Sequence, residues 1–468
     1  MHVEVEHVPG RVTFTLQPDD GDETGRVHLA RRTAHVLLDV PPGGVHPDLL
    51  VVAALLCARP WVPRRRRFSC SVPASRELAE ALRAGPRLRL ANVGRGTPRH
   101  APADGRPGLC FSGGTDSVAA LALMPATTCS YHLARRAPAG ERRSTLMDGR
   151  AALESCEVLR RQGRAVRVVP SDVEYLADPV GFPHDLTTAV PLLLHADADR
   201  LDAVAWGAPL EATYRLQRGR YRDYAQSPFV AEWGPVLAAL GLSVCVPVAG
   251  VSELVTSTIV ATHPVGRAAQ SCVRGPRLGR PCGRCPKCAR KTLLASTISG
   301  AWPSDRVLER QWRGTESRQH LLAEPMKVEP VLAHCAHRYL ADGGTSELMR
   351  LVAAKAGPDP RTWLARSYEP ALDLIPARYR ALITEQVHRY AIPMSAEQEA
   401  AVRGYDVTGP DPGREAAQDE LRRWMQQHPP RDLAHRAWDR GRRELRAARR
   451  ASTGPTGPSR PPTAPDVG

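Results

Sequence analysis

Leu109-Cys110-Phe111-Ser112-Gly113-Gly114-Thr115-Asp116-Ser117 is the stretch on which the reading of the fold turns. A short apolar run, GLCF (108–111), enters two adjacent glycines, and TDSVAALALM (115–124) then has helical character. Strand, glycine turn and helix in that order suit an anion. Glycines let the backbone approach with no Cβ in the way, and the first helical turn offers free N–H groups at the positive end of the dipole. Ser112, Thr115 and Ser117 add hydroxyl donors. The carboxylate of Asp116 is suited instead to holding a Mg2+ ion, or to fixing the loop by accepting backbone N–H bonds. An ordinary helix N-cap after a glycine-rich turn is the plainer alternative. It does not require Ser, Gly, Gly, Asp and Ser together. The GxxxxGK[ST] loop is a different pattern, because no lysine follows the glycines here.

Outward from this turn, residues 108–300 alternate in type. TTCSYHL (127–133), AVRVVPSDV (165–173), DAVAWGAP (202–209) and LSVCVPVAG (242–250) read as strands. STLMDGRAALESCEVLRRQG (144–163) and LTTAVPLLLHADAD (186–199) read as helices. Strands separated by helices predict a parallel sheet covered on both faces. Residues 1–100 read as a small α+β segment, with strands VEVEHV, RVTFTL and AHVLLDV and a buried helix HPDLLVVAALLCARP. The Arg64–Arg67 run reads as phosphate-meeting arginines or as a solvated edge guarding the FSCSV strand. Residues 99–108 (RHAPADGRPG) read as a linker. Residues 301–450 read as a helical domain: PALDLIPARYRALITEQVHRYA (370–391) is among the stretches with apolar spacing of three and four, and DLAHRAWDRGRRELRAARR (432–450) reads as an Arg-rich exposed helix; 451–468 read as a disordered tail. The fold class is therefore α/β: a parallel-sheet core over 101–300, a small α+β segment before it and a helical region after it.

The second decisive stretch runs from Ser271 to Cys288. Cys272, Cys282, Cys285 and Cys288 are spaced C-x9-C-x2-C-x2-C. Short C-x2-C steps with glycine between them let thiolates converge on one ion, and four thiolates without histidine read as a structural tetrahedral Zn2+ site. An iron–sulfur cluster is the alternative. A filled shell leaves no position for substrate, so no catalysis is assigned to it. The scattered Cys57, Cys70, Cys110, Cys129, Cys156, Cys245 and Cys335 read as small core residues.

The Ser112–Ser117 motif resembles the SGGxDS loop of the PP-loop ATP pyrophosphatases. With the C-terminal cysteine knuckle, the chain resembles 7-cyano-7-deazaguanine synthase over roughly residues 107–297. The resemblance implies a nucleotide α-hydrolase-like core, ATP with Mg2+, and Zn2+ at the four cysteines. It implies adenylation of a carboxylate, such as 7-carboxy-7-deazaguanine, with release of pyrophosphate. Ammonia then displaces AMP to form an amide, and a second ATP activates the amide for dehydration to the nitrile. Carried over by position, Ser112, Gly113, Gly114, Thr115, Asp116 and Ser117 match the pyrophosphate loop, with Asp116 and Ser112 as the catalytic candidates. About 100 residues precede this core and about 150 follow it. Where the family carries a lysine before the knuckle, Ser252-Glu253-Leu254-Val255-Thr256-Ser257 has none. The chain thus looks like a divergent relative, comparable to synthase-like proteins of antiphage gene clusters or specialised metabolism.

Other residues carry weaker signals. His132 ends the second core strand, where ligands sit in such sheets, so it is a candidate to border adenine. Gly207 closes the 202–207 strand and is a candidate for close approach to AMP, or a turn glycine. His263 is a candidate acid or base, Asp185 a candidate N-cap, and the stretch 211–226, with Arg215, Arg218, Arg220 and Arg222, a candidate phosphate lid or a solvated loop. The formal net charge of +15 fits a nucleotide, tRNA or DNA partner, and equally an Arg-rich, Lys-poor composition. RNA, a protein partner and a second copy in a homodimer are left open beside ATP and the small acid. No apolar run approaches the roughly 18 residues that span a bilayer, and the start lacks a basic-then-apolar leader, so no membrane contact and a cytoplasmic location are expected.

Overall fold

A computed structural model describes residues 1–19, 27–141 and 149–429. The strands are β1 (His2–Val8), β2 (Arg11–Gln17), β3 (His28–Leu29), β4 (Thr33–Leu37), β5 (Arg67–Cys70), β6 (Arg89–Leu90), β7 (Arg106–Cys110), β8 (Cys129–Arg135), β9 (Ala165–Ser171), β10 (Ala177–Asp178), β11 (Leu201–Trp206) and β12 (Ser243–Cys245). Ten of them form one sheet in the order β12-β11-β7-β8-β9-β4-β2-β1-β5-β6, and β3 pairs with β10 apart from it. The sheet is largely parallel within two blocks: β12, β11, β7, β8 and β9 run one way, β1, β5 and β6 run together the opposite way, and β4 and β2 between the blocks pair antiparallel with their neighbours.

The parallel half dictates where a ligand sits. Its strands in chain order are β7, β8, β9, β11 and β12. Two lie to one side of β7 and two to the other, so the connection reverses direction between β7 and β11. Crevices at the carboxyl ends of such strands open at that reversal. Helices cover both faces. On one face, Cys129, Tyr131, Leu133, Leu201 and Val204 pack with α1 (Pro47–Ala58), α2 (Arg76–Ala84), α5 (Val190–His195) and α7 (Pro228–Ala239). On the other, Leu109, Ala203, Ala205 and Cys245 pack with α3 (Thr115–Leu123), α4 (Arg150–Arg161), α8 (Glu253–Thr262) and α14 (Ala377–His388). Ala203 and Val204, adjacent in β11, thus feed opposite cores, as period-two alternation requires.

Helix α1 is apolar all round and buried along its length, with its Val and Leu side chains each contributing about 1.5–3 kcal/mol. Its one carboxylate, Asp48, is fully buried and accepts both the amide and the hydroxyl of Ser75 at 2.7 Å.

Prolines set several boundaries that periodicity alone misses. The helix expected over 186–199 is a 3-10 turn (Asp185–Ala189) followed by the six-residue α5, because Pro191 fits only the first turn of a helix. The strand expected over 242–250 stops at Cys245, ahead of Pro247, which has no N–H to donate. Pro376 splits the long helix expected over 370–391 into a 3-10 turn (Glu369–Leu374) and α14. The stretch 99–108 is no free linker: Arg99 is buried, with Nε on Asp197 at 2.8 Å and Nη2 on the Leu201 carbonyl at 2.9 Å. Arg64–Arg67 stays exposed, but β5 is flanked by β1 and β6 and is not the edge.

The C-terminal region is helical: α9 (Pro286–Ser299), α10 (Asp305–Trp312), α11 (Thr315–Leu322), α12 (Glu329–Ala341), α13 (Glu347–Ala356), α14, α15 (Ala396–Arg403) and α16 (Pro412–Gln427). Its core includes Trp312, Trp363 and Trp424. The expected helix over 432–450 and the expected tail lie outside the described residues, as does the start of the helix expected from 144. No helix among the described residues is long and apolar enough to cross a membrane.

Candidate active site and cysteine centre

Strand β7 ends at Cys110 and the chain turns through Ser112–Gly114 into α3, for which Gly114 is the N-cap. Gly113 has φ +75°, a left-handed conformation that a side chain would strain. The Ser112 hydroxyl accepts from the Gly114 amide at 3.3 Å and lies 3.2 Å from the Ser117 hydroxyl. The Thr115 amide donates to Ser271 Oγ at 3.2 Å. The amides of Asp116 and Ser117 meet no acceptor among the described residues. Two free amides and an exposed Ser112 at a helix start are what an anion needs.

A cavity of about 290 Å3 opens beside the loop, close to the lower end of the roughly 300–1,000 Å3 typical of small-molecule sites. Ser112, Ser117, His132, Trp206 and Gly207 line it, with Phe182 and Arg135 on the rim side of β8. It sits at the carboxyl ends of β7, β8 and β11, at the reversal point. Aromatic walls beside hydroxyls suit a flat heterocycle joined to an anion. Burial holds His132 below the usual imidazole range, so the ring is neutral there, with Nδ1 3.0 Å from the Phe111 carbonyl. The guanidinium of Arg135 lies 4.8 Å over the Phe182 ring.

Gly207 closes one wall. A Cβ there would stand 2.4 Å from the Asp116 carbonyl oxygen and 2.6 Å from the Ser117 amide nitrogen. Backbone cannot yield as a side chain does, so Gly207→Ala shifts β11 or the loop. We expect a stability loss of about 1–3 kcal/mol in urea unfolding, together with weakened nucleotide binding.

Behind the loop lies a charged cluster drawn from four elements. Asp116 accepts from Thr256 Oγ1 at 2.8 Å, which ties α3 to α8. Glu253, on α8, accepts from Arg290 Nε at 2.9 Å and lies 3.3 Å from Lys291 Nζ, both on α9. Lys291 also donates to Ser257 at 3.2 Å. Both carboxylate oxygens of Glu211, on α6 (Leu210–Thr213), accept the Glu253 amide at 3.1 Å. Three acids thus face two cations. Burial, with the Glu253 charge added, pushes Glu211 up to about 8, and burial also raises Asp116 against the pull of Lys291. The two cations hold Glu253 below its ordinary range despite burial.

A raised folded-state pKa at Glu211 means that the fold favours its protonated form. Its stability contribution is complete below about 4.5 and is lost as pH rises through about 8. Glu211→Gln should flatten this dependence. Between pH 5 and pH 8 the wild type should lose on the order of 2–4 kcal/mol more than the variant in chemical denaturation.

The four knuckle cysteines converge, with all four sulfurs within 4.8 Å of one another. Sγ distances are 3.9 Å for Cys272–Cys285, 3.8 Å for Cys282–Cys288 and 3.5 Å for Cys285–Cys288. Four thiolates about 2.3 Å from a tetrahedral zinc stand roughly 3.8 Å apart, so the cage fits such an ion and could bind a metal such as zinc. Cys285 is the N-cap of α9 and Cys288 lies in its first turn. The knuckle also grips the loop: Ser271 lies 2.9 Å from Thr115 Oγ1, and the Gln270 amide donates to the Gly113 carbonyl at 2.8 Å.

Of the residues singled out from sequence, Ser112, Ser117, His132 and Gly207 share the cavity wall. Gly113, Gly114, Thr115 and Asp116 form the turn beneath it and its ties to α8 and the knuckle. Glu211, Glu253, Thr256, Ser271, Arg290 and Lys291 escaped sequence reasoning. Lys291, which reaches Glu253, lies three residues past Cys288; that adjacency to the knuckle was the one available signal.

Weaker candidates took structural roles. His263 accepts the Val265 amide as a cap, and His184 rather than Asp185 is the N-cap, accepting from Leu186. The 211–226 stretch is pinned to the helical region, with Tyr221 N on the Tyr405 carbonyl at 2.9 Å and Val407 N on the Gly219 carbonyl at 2.7 Å. Of the scattered cysteines, only Cys110 lines the cavity, and burial pushes its thiol up to about 12, which is wrong for a nucleophile.

A family model described as a family of unknown function (DUF6395) matches residues 232–406. That span holds the knuckle, Glu253, Arg290 and Lys291, and leaves the Ser112–Ser117 loop outside it. No curated protein and no solved structure matches the chain.

Proposed function

We propose that this chain is an ATP-dependent ligase-type enzyme that adenylates a carboxylate, 7-carboxy-7-deazaguanine or a related acid. It releases pyrophosphate and forms an amide or nitrile with ammonia. The observation that carries this reading is the pair of free amides at Asp116 and Ser117, opening beside an aromatic cavity at the sheet's reversal point. Nucleotide base and phosphates have matching places there, the base against Phe182 and Trp206 and the β- and γ-phosphates over the loop. The substrate carboxylate oxygen attacks the α-phosphorus, and the Pα–O bond to pyrophosphate breaks. Ammonia then adds to the acyl carbon and AMP leaves, giving the amide; for the nitrile a second ATP adenylates the amide oxygen, with release of a second pyrophosphate, and that oxygen departs with AMP as the nitrogen gives up its protons.

In this reading the loop stabilises charge that grows on the departing pyrophosphate. Trp206, Phe182 and Phe111 keep water from the acyl-adenylate. Asp116 and Glu253, with Lys291, set the field beneath the loop. Mg2+, when bound with the nucleotide, would neutralise phosphate charge. A metal held by Cys272, Cys282, Cys285 and Cys288 would have its positions filled by sulfur and would act by holding α9 and Ser271.

The test is pyrophosphate release from ATP by purified, zinc-replete protein, with 7-carboxy-7-deazaguanine and ammonia present or withheld. Release that requires the acid supports the reading. Release that requires tRNA instead would make the chain an RNA-modifying member of the same chemistry. No release and no nucleotide binding would overturn it.

A further inference from the structure

The seam where the N-terminal strands meet the parallel half holds a second hollow, of about 480 Å3. Only Val36 and Ser171 register between β4 and β9, and Pro170 brings no N–H to the ladder. The seam therefore stays open there. Three guanidinium groups reach it from three places in the chain: Arg11 at the start of β2, Arg31 before β4 and Arg136 directly after β8.

Charge balance in this hollow is one-sided. The side chains of Arg31 and Arg136 meet no acceptor among the described residues. Among the described residues Arg11 pairs only with Glu6, at 3.8 Å with both side chains exposed, a pair worth little. The hollow's own carboxylate, Asp172, is already committed. Its Oδ1 accepts the His35 amide at 2.6 Å, and its Oδ2 lies 3.0 Å from His35 Nδ1. Three like charges around one concavity repel, and an anion relieves them.

We propose that this hollow is a binding site for a small oxyanion-bearing molecule, one whose phosphate or carboxylate groups are taken by Arg11, Arg31 and Arg136. Planar guanidinium forks match such groups in paired hydrogen bonds. A small molecule is favoured over a nucleic acid strand because the three arginines gather around one hollow, walled by Ala137, Pro138 and Pro170, instead of forming a line of charges. The site is separate from the phosphate loop, which contains no arginine. Its presence or absence is therefore independent of the ATP reading.

The test is arginine modification by phenylglyoxal on the full chain, with reaction rates read peptide by peptide. Inorganic phosphate, citrate and an RNA hairpin are offered as separate protectants. The expected result is that phosphate or citrate slows modification of Arg31 and Arg136 by about tenfold, while exposed Arg64–Arg67 reacts unchanged. Whichever of the two protects tells phosphate from carboxylate. Titration calorimetry with the protecting anion should lose one weak site in the Arg31→Gln/Arg136→Gln variant, with an unchanged melting temperature, whether or not the phosphate loop also takes the anion. Equal rates in phosphate, citrate and buffer would overturn the proposal. So would protection by the RNA hairpin alone.

Discussion

On the proposed chemistry, Asp116→Asn should leave the chain folded and lower ATP-dependent pyrophosphate release by at least about 100-fold, the loss typical of one preorganised electrostatic group. Asparagine keeps the oxygen that accepts from Thr256 Oγ1, so the α3–α8 tie survives and the melting temperature changes little. What disappears is a negative charge one residue into α3, beneath two free amides. That charge balances Lys291 and, on the proposed chemistry, helps hold the metal that accompanies the nucleotide. A binding assay with a non-hydrolysable ATP analogue separates the two contributions. Catalysis should fall far more than binding, because the amides remain. An Asp116→Asn protein with wild-type turnover would remove the loop from the chemistry.

Loss of the knuckle metal should have the second-largest effect, and at a distance. Zinc-replete protein is expected to carry one equivalent of zinc per chain by elemental analysis. Cys285→Ser should abolish that content and cost several kcal/mol of stability, because three remaining sulfurs close the cage poorly. The distinctive outcome concerns the nucleotide. Cys285 caps α9, and α9 carries Arg290 and Lys291 to Glu253, while Ser271 and Gln270 hold the loop at Thr115 and Gly113. Both routes slacken together. ATP-analogue affinity should therefore drop by about 10-fold, a coupling of ordinary size for linked sites. Zinc restored to chelated wild type should recover both readouts, whereas an independent folding device would recover stability alone.

These two experiments bear on different halves of the molecule. The matched family span, 232–406, contains the knuckle and the Glu253–Arg290–Lys291 cluster but not the loop. If the knuckle governs nucleotide affinity, that span supplies one side of the active site. If it does not, the span performs work of its own.

Chemistry confined to a few neighbouring residues could be read from the chain alone. Ser112–Ser117 and the four cysteines lie close in sequence, and their spacing already limits what they can hold. The succession of strand-like and helix-like runs over 108–300 likewise announced β7, β8, β9 and β11. Partnerships across long separations could not be read this way. Thr256 meets Asp116 from 140 residues away and Ser271 meets Thr115 from 156. Lys291 meets Glu253 from beyond the knuckle. The joining of the first hundred residues to the same sheet depends on Val36 lying beside Ser171. The hollow among Arg11, Arg31 and Arg136 exists because of that seam. Such contacts follow from the order in which strands assemble, a choice made by burial summed over the whole sheet, and no single window of sequence contains it.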